Sequence, residues 1–262
     1  MDANLRQQKI LSLVNQRGFI TIDELANAFE VTPQTMRRDI TSLAELNQVR
    51  RFHGGAASLS SIVNDAYQDR KMSQHQEKSR IAKRVASLIP DQASLFINIG
   101  TTNEAIAQAL LKHRDLKIIT NSLNVAALLS QQTDHEIIIA GGMVRNRDGG
   151  ITGEATIDFI RQFRTDFGII GISGIEEDGT LLDFDFHEVR VAQAIVQNAR
   201  HTILAADATK FRRQAVNKLG TTELIDTLVT DHPPPKVLQR TLRSHNCQLI
   251  IAEPSAANED GV

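Results

Sequence analysis

Near the start of the chain, hydrophobic residues recur at the three- and four-residue spacing that is typical of amphipathic helices. Residues 5–16 show this spacing first. Residues 20–29 show it again, and there Thr21 and Glu24 have the spacing of a capping box. A third helix is predicted to begin at Thr32, whose side chain can cap it, only two residues after the second helix ends. Two helices joined by such a short turn predict a helix–turn–helix.

The third helix carries one apolar stripe, formed by Met36, Ile40 and Leu43 at intervals of four and three residues. The polar residues at its cap, opposite the stripe and on its flanks are Thr32, Gln34, Thr35, Arg37, Arg38 and Thr41. Arginine and glutamine can each bond two atoms on the edge of a guanine or an adenine in the major groove. We therefore predict that these residues bind DNA, and the alternative is an ordinary solvated helix face.

A β-prone run, VRRFHGG, follows in residues 49–55, and its two closing glycines predict a hairpin. Arg50, Arg51 and His53 lie in this run, where they can meet phosphates or the minor groove. Three helices and a basic wing predict a winged helix-turn-helix DNA-binding domain in residues 1–57.

The charge balance limits how this domain can bind DNA. The chain has 29 Lys and Arg, 31 Asp and Glu, and a formal net charge of -2. Any affinity for double-stranded DNA must therefore come from a local basic patch, which dimerisation would double.

The cysteine count and the apolar content indicate in which cellular compartment the protein is expected. The single cysteine, Cys247, cannot form an intrachain disulfide, which fits a reducing compartment. The polar N-terminus does not resemble a secretion signal, and no apolar stretch approaches the ~20 residues of a membrane-spanning helix. We expect a cytoplasmic protein with no membrane partner.

The pattern changes near residue 57. Residues 58–75 begin with a serine-rich stretch and are predicted to be a linker, whereas residues 253–262 lack periodicity and are predicted to be a disordered tail. Between them, in residues 76–252, apolar strands alternate with helices. The predicted strands are residues 94–99, 116–120, 136–140, 166–172, 201–205, 228–230 and 248–251. This alternation predicts an α/β domain whose mostly parallel sheet is covered by helices on both faces.

Polar and glycine-rich segments follow several of these strands. Parallel strands place their carboxyl ends at one edge of the sheet, where α/β proteins bind ligands. Gly100, Thr101 and Thr102 precede a helix there, and glycine beside a helix N-terminus suits a phosphate. Each such segment could instead be only a helix cap, but together they predict one pocket for a small phosphorylated ligand.

Motifs of other ligand sites are missing from the sequence. Neither a Walker A motif nor the dinucleotide-binding fingerprint occurs, and no cluster of Cys, His, Asp and Glu has metal-ligand spacing. We therefore expect no metal and no cofactor. His187 and Glu188 could be acid–base groups, or they could simply open and cap a helix.

The segments ITIDELANAFEVTPQTMRRDI and VRRFHGGA resemble the DeoR family of bacterial transcriptional repressors. Later segments, among them INIGTT, TNSLNVA, AGGMVRNRDGGITGEAT and FDFHEVR, extend the likeness from about residue 5 to residue 251. The resemblance implies a winged helix-turn-helix and a sensor domain similar to ribose-phosphate isomerases. It also implies a homo-oligomer, expected to be a tetramer built from dimers, with operator DNA and a phosphorylated inducer as partners.

Within the family, these segments imply a repressor of glycerol-3-phosphate metabolism genes that glycerol-3-phosphate releases from DNA. Carried over position by position, the expected ligand-binding residues are Gly100, Thr101, Thr102, Asn121, Gly141, Asp148, Gly149, Gly150, Glu188, Asp207 and Lys210. Lys210 is expected to pair with the ligand's phosphate or a hydroxyl. The alternative is a sugar-phosphate isomerase-like enzyme with an appended DNA-binding domain. Such enzymes have an acidic pair where residues 171–174 here are GISG, which favours a sensor without catalytic residues.

Overall fold

A computed structural model describes residues 3–17, 19–46, 48–52, 54–58 and 67–253 of the chain. It divides the chain into two units, Met1–Met72 and Ser73–Val262, which we describe one by one. The predicted wing residue His53 and the predicted tail from residue 254 onward lie outside the described residues.

The first unit contains the three predicted helices and the predicted hairpin. Its elements are α1 (Ala3–Arg17), β1 (Phe19–Thr21), α2 (Ile22–Ala28), α3 (Pro33–Glu45), β2 (Val49–Phe52), β3 (Gly55–Ser58) and α4 (Tyr67–Met72). The three strands form an antiparallel sheet in the order β1-β3-β2, with β2 and β3 as the wing. Neither β1 nor α4 was expected from the pattern, and α4 lies within the segment predicted to be a linker.

Caps and an apolar core fix these helices as the sequence predicts. Thr21 and Glu24 form the capping box, with each backbone N–H bonded to the other side chain at 2.9 and 3.2 Å. Thr32 caps α3 by accepting the N–H of Thr35 at 3.2 Å. The buried core residues include Ile10, Val14, Leu25, Met36, Ile40, Leu43 and Val49. All three helices therefore share one small core with the wing.

The second unit alternates strands and helices. Its elements are α5 (His75–Ala86), β4 (Ser94–Ile97), α6 (Thr101–Ala109), β5 (Lys117–Thr120), α7 (Leu123–Gln132), β6 (Glu136–Ile139), β7 (Met143–Val144), β8 (Ile151–Thr152), α8 (Glu154–Ile160), β9 (Thr165–Ile170), β10 (Gly174–Ile175), β11 (Thr180–Asp183), α9 (Phe186–Asn198), β12 (Ala199–Ala205), β13 (Asn217–Thr221), β14 (Thr227–Thr230), α10 (Lys236–Ser244) and β15 (Gln248–Ile251). Short 3₁₀ turns at Leu110–Lys112, Ala208–Lys210 and Thr222–Leu224 complete it.

Seven strands form a parallel sheet in the order β15-β14-β12-β9-β4-β5-β6. These are the seven predicted strands, each with ends within two residues of the expected ones, so the predicted α/β class is confirmed. The chain runs outward from β4 through β5 to β6 and then reverses through β9. The crevice between β4 and β9 is thus the switch point at which such sheets bind ligands.

Two hydrophobic clusters cover the two faces of this sheet. In β4, Leu95 and Ile97 join the cluster under α5, α6 and α7, whereas Phe96 joins the cluster under α8, α9 and α10. Alternate residues of a strand point to opposite faces, so a strand buried on both sides must be apolar throughout. This requirement makes central strands such as β4 recognisable as apolar runs in the sequence.

A smaller sheet, β10-β11-β13, and the hairpin β7-β8 were not predicted. Three of these strands have only two residues, and β13 (NKLGT) is mostly polar, so none of these four forms an apolar run. Within the described residues, no helix has the length and apolar character needed to cross a membrane.

Gly168 of β9 tests how tightly α9 packs on the sheet. A Cβ at this position would lie 2.7 Å from the Ala199 Cβ and 3.1 Å from the Ile195 Cγ2. Gly168→Ala should therefore lower the free energy of unfolding by about 1–3 kcal/mol, the usual cost of overpacking. Urea unfolding measures the change. Gly141→Ala is the matched control because a Cβ there meets no atom within 4 Å, and an equal loss in both variants would contradict the packing argument.

Candidate nucleic-acid interface and ligand site

The outer face of α3 carries the residues predicted to read DNA. Gln34, Arg37 and Arg38 are exposed, and Thr35 and Thr41 are half-buried. All of these except Thr35 line an open depression, which is formed by Gln34, Arg37, Arg38, Thr41, Ser42 and Glu45. The structure thus brings the predicted α3 residues onto one accessible surface, with the core stripe on the opposite side.

Hydroxyl groups on α3 already have local hydrogen bonds. The Thr32 and Thr35 hydroxyls form a hydrogen bond of 2.9 Å with each other, so the main role of Thr32 in the structure is to cap the helix. The Thr41 hydroxyl donates to the Arg37 carbonyl at 2.7 Å and accepts from Arg51 Nη1 at 3.1 Å. The last bond joins the wing to α3, so that Arg51 extends the basic surface of Arg37.

Of the two other predicted wing residues, only Arg50 lies among the described residues. Arg50 lies in β2, where its backbone pairs with Ala57 of β3. His53 falls outside the described residues, and its predicted contact with DNA stays a prediction.

Asp39, next to Arg38, is a functional candidate that the pattern missed. It is buried, and Arg6 and Gln7 of α1 both donate hydrogen bonds to its carboxylate. A charged residue three positions after Met36, at the edge of the apolar stripe, was the available signal.

In the second unit, the predicted phosphate loop follows β4 at the switch point. Gly100 caps α6 with a φ of 128°, a backbone conformation that L side chains rarely adopt. Thr102 is buried behind it, and Asn103 is fully buried. The Asn103 amide donates to the carbonyls of Asn98 and Ile99, both at 3.0 Å, and so holds the loop onto the helix.

The segment 145–150 folds back over the ends of β4 and β5. The Gly149 carbonyl accepts the Leu123 N–H at 3.0 Å, and the Asn121 carbonyl accepts the Ile151 N–H at 2.8 Å. A Cβ on Gly150 would lie 3.1 Å from the side chain of Ile99, the residue before Gly100. The predicted residues Asn121, Gly149 and Gly150 therefore lie beside the Gly100 loop.

Arg145 connects this segment to the start of α9. Its guanidinium pairs with Asp148 at 2.7 Å, with Asp185 at 2.9 Å and with Glu188. Arg147 reinforces the link at 3.0 Å from Asp185 and 3.4 Å from Glu188. The predicted residues Asp148 and Glu188, 40 positions apart, are thus held together by an arginine that was not predicted.

Burial raises the pKa of Glu188 to about 7, and the neighbouring carboxylates of Asp183 and Asp148 add to the rise. Arg145 opposes the rise through its charge and its hydrogen bond. The site therefore holds a carboxyl group that titrates near neutral pH. The sequence predicted Glu188 as a possible acid–base or ligand-binding residue, but it did not indicate a raised pKa.

Asp207 and Lys210 follow β12 and form a separate group. Lys210 Nζ lies 3.8 Å from the buried Asp207 carboxylate. Burial disfavours the ionised form, but Lys210, the Thr209 hydrogen bonds and the charge of Lys78 together hold the Asp207 pKa below its usual value. Strand β9 separates β12 from β4 in the sheet, so these residues flank the far side of the switch point.

Gly141 has a structural role of its own. Its carbonyl accepts the hydroxyl of Thr156 in α8 at 2.8 Å. Gly141 is exposed at the end of the edge strand β6, and the structure gives it no contact with the Gly100 loop among the residues described. Over the described part of the chain, no group of three or more His, Cys, Asp and Glu could hold a metal ion.

Two protein-family models and several known proteins are similar to this chain. The DeoR-like helix-turn-helix domain matches residues 6–62, and the DeoR C terminal sensor domain matches residues 73–232. The glycerol-3-phosphate regulon repressor of Escherichia coli (strain K12) is 52% identical and covers 96% of this chain and 100% of its own. The protein of the same name from Haemophilus influenzae is 51% identical and covers 96% of this chain and 98% of its own.

Among solved structures, ribose 5 phosphate isomerase A from Neisseria gonorrhoeae is 12% identical, with a TM-score of 0.39, over 54% of this chain and 56% of its own. The two domain matches follow each other along the chain as the winged unit and the α/β unit do, and the sensor match alone spans more than half of it. The chain belongs to the DeoR family of transcriptional repressors.

Proposed function

We propose that this DNA-binding repressor controls genes of glycerol-3-phosphate metabolism and is released from its operator by a phosphorylated inducer, glycerol-3-phosphate itself. The observation that carries the proposal is likeness over nearly the whole chain to repressors named for the glycerol-3-phosphate regulon. Both the DNA-binding and the sensor part contribute to that likeness. As a DNA-binding repressor it would act in the cytoplasm, where operator DNA lies.

The α3 surface supports the DNA half of the proposal. Gln34, Arg37 and Arg38 are accessible to base edges, and Arg51 of the wing is joined to the same surface through Thr41. Side chains of α3 would read the major groove, while wing arginines would contact phosphates. With a net charge of -2, the chain needs this local patch, and we propose a homo-oligomer, a tetramer built from dimers, that presents it more than once.

The switch point supports the ligand half. The ligand phosphate would bind at Gly100, Thr101 and Thr102, where the first turn of the nine-residue helix α6 points its N–H groups outward. Two fully buried amide oxygens lie close by, Asn103 Oδ1 and Asn121 Oδ1, and among the described residues neither accepts a hydrogen bond. Such acceptors suit the hydroxyl groups of a polyol phosphate.

Charge favours this orientation of the ligand. Arg145 and Arg147 are already paired with the carboxylates of Asp148, Asp185 and Glu188, so this end of the site carries no surplus positive charge. A phosphate dianion would be repelled there, whereas hydroxyl groups can donate to carboxylates. The phosphate therefore belongs at the α6 end and the hydroxyls at the Glu188 end.

Release from DNA requires two conformations with different affinities for the inducer. Paired recognition helices must meet half-sites about one DNA turn apart, so a small rotation between subunits changes affinity strongly. To move the equilibrium decisively, the inducer must bind the weakly DNA-binding conformation several kcal/mol more tightly. The ion pairs of Arg145 join two chain segments across the proposed site. We therefore expect the conformational response to inducer binding to involve these ion pairs.

An isomerase-like enzyme is the second candidate, because Glu188 has a pKa of about 7 and a general base works best near the operating pH. We favour a sensor without catalytic activity. Glu188 is held by Arg145, and residues 171–174 lack the acidic pair that the enzymes have after the corresponding strand. Incubation with ribose 5-phosphate and detection of a ketose product would support the enzyme instead.

Fluorescence anisotropy on a labelled duplex from upstream of neighbouring glycerol-metabolism genes tests the main proposal. Glycerol-3-phosphate is titrated into the complex, with glycerol and inorganic phosphate as controls, at fixed salt because affinity depends steeply on it. Release by glycerol-3-phosphate alone supports the operator, the inducer and the sensor role. Tight binding without release would discard this inducer and keep the repressor.

Arg38 provides the test of the DNA-reading surface. Arg38→Ala should weaken operator binding about 5- to 150-fold, since a bidentate base contact is worth about 1–3 kcal/mol, and should leave inducer affinity unchanged. Footprinting titrations and calorimetry measure the two affinities. Arg114→Ala is the control, because it removes an exposed arginine that pairs only at the surface, with Asp91 at 3.1 Å. Operator affinity equal to that of the control would overturn the assignment of α3.

Thr102 provides the test of the phosphate loop. Thr102→Val keeps the shape of the buried side chain and removes its hydroxyl, so inducer binding should weaken about tenfold and repression should become insensitive to inducer. Calorimetry with glycerol-3-phosphate measures the affinity. Thr165→Val is the matched control, a buried threonine at the amino end of β9. Normal affinity in the Thr102 variant would place the phosphate elsewhere.

Glu188 should make stability depend on pH in a particular direction. Its carboxyl has a higher pKa in the folded chain, about 7, than its ordinary value of 4.5. Between these values the folded chain binds more protons than the unfolded chain, so this carboxyl lowers stability as pH rises towards 7. Glu188→Gln lacks the effect and should gain about 1–3 kcal/mol of unfolding free energy relative to wild type between about pH 5 and about pH 8.

Urea unfolding at a series of pH values measures this difference, with Glu154→Gln at the exposed start of α8 as the control for losing one carboxylate. A pH-independent difference between wild type and Glu188→Gln would show that the carboxyl stays ionised throughout.

A further inference from the structure

A buried ion pair lies directly behind the DNA-reading surface. Asp39 is 5% exposed, and it stands in the sequence between the exposed Arg38 and the core residue Ile40. Arg6 Nε donates to Asp39 Oδ2 at 2.6 Å, and Arg6 Nη2 donates to Oδ1 at 3.3 Å. Gln7 Nε2 adds a third bond to Oδ1 at 3.2 Å. All three bonds join α1 to α3.

The contacts that α3 makes with the core are apolar, and a bond from Arg51 of the wing to Thr41 lies on its outer side. Met36, Ile40 and Leu43 pack in the core shared with α1. Hydrophobic burial is not directional, so such contacts tolerate a small rotation of a helix about its axis. A two-point bond between a planar guanidinium and a carboxylate is directional, and buried polar groups of this kind can fix register.

Rotation of α3 matters because its reading residues are arranged around its axis. Adjacent positions on a helix are about 100° apart, so turning Asp39 turns Arg37 and Arg38 with it. Their guanidinium groups stand at the ends of long side chains, where a given rotation produces its largest displacement. Bidentate contacts to base edges need accurate placement, whereas contacts to phosphates tolerate more displacement.

We propose that Arg6, Gln7 and Asp39 form a positioning group that sets the rotation of α3 and thereby the sequence specificity of operator binding. None of the three needs to touch a base. The inference rests on the proposed role of α3 as the recognition helix. Its distinguishing consequence is a change in the ratio of specific to non-specific DNA affinity, because only base reading depends on the rotation.

The experiment compares Arg6→Met, which keeps the aliphatic stem and removes the guanidinium, with Lys9→Met, which removes one charge from an exposed position of the same helix. Fluorescence anisotropy at fixed salt gives the affinity of the full-length protein for the operator duplex and for a duplex of scrambled sequence. Arg6→Met should lower the specific to non-specific ratio at least tenfold. Lys9→Met should lower both affinities together and leave the ratio unchanged.

Arg6→Lys keeps the charge but loses the two-point geometry, so it should give an intermediate ratio. An unchanged ratio in Arg6→Met overturns the proposal, as does an equal loss on both duplexes, which would make Arg6 a phosphate contact. Affinities are measured below the melting transition of each variant. If Arg6→Met does not fold, Gln7→Leu is the second variant, because it keeps the ion pair and removes one hydrogen bond to Asp39. The ratio of specific to non-specific affinity should then fall about two- to threefold. An unchanged ratio in Gln7→Leu also overturns the proposal.

Failure of this proposal can be told apart from failure of the recognition-helix assignment. Arg38→Ala addresses the assignment by itself. If Arg38→Ala loses operator binding while Arg6→Met keeps its full ratio, α3 reads DNA without help from the ion pair. If Arg38→Ala binds normally, the assignment of α3 is wrong, whatever Arg6→Met does.

Discussion

The parallel sheet of the second unit must be covered on both faces, and the arrangement of its site follows from that requirement. Strand β4 lies at the centre, with Leu95 and Ile97 facing one helical layer and Phe96 facing the other. Because all seven strands run the same way, their carboxyl ends meet at one edge. Chain reversal between β4 and β9 marks the switch point of this edge, and Gly100 and Asn103 lie beside it.

Charge around that switch point is arranged asymmetrically. The α6 end offers helix N–H groups, whereas the α9 end holds Arg145 between the carboxylates of Asp148, Asp185 and Glu188. The proposed ligand, with a phosphate at one end and hydroxyls at the other, would match this asymmetry. The same arginine joins the segment over β4 and β5 to the start of α9, so the proposed ligand site and the conformation of that segment would depend on one side chain.

The winged unit combines two kinds of constraint on α3. Its apolar stripe places the helix in the core, and the buried pair of Arg6 with Asp39 adds a directional bond behind the exposed Arg38. On the other side, the bond from Arg51 to Thr41 ties the wing to the same helix. The proposed reading of base edges would depend on this support, because Gln34, Arg37 and Arg38 themselves are exposed.

Sequence by itself determined the features that depend on neighbouring residues along the chain. The hydrophobic pattern predicted helices α1, α2 and α3 and the seven strands of the parallel sheet, and the caps at Thr21 and Thr32 followed from residue type and spacing. Tertiary structure alone decided which distant residues meet. Arg145 with Glu188, and Arg6 with Asp39, lie more than 30 positions apart, and no local pattern relates them. Their pairing and the raised pKa of Glu188 arise from burial and from neighbouring charges in the folded chain. Neither can be predicted from a residue and its neighbours along the sequence.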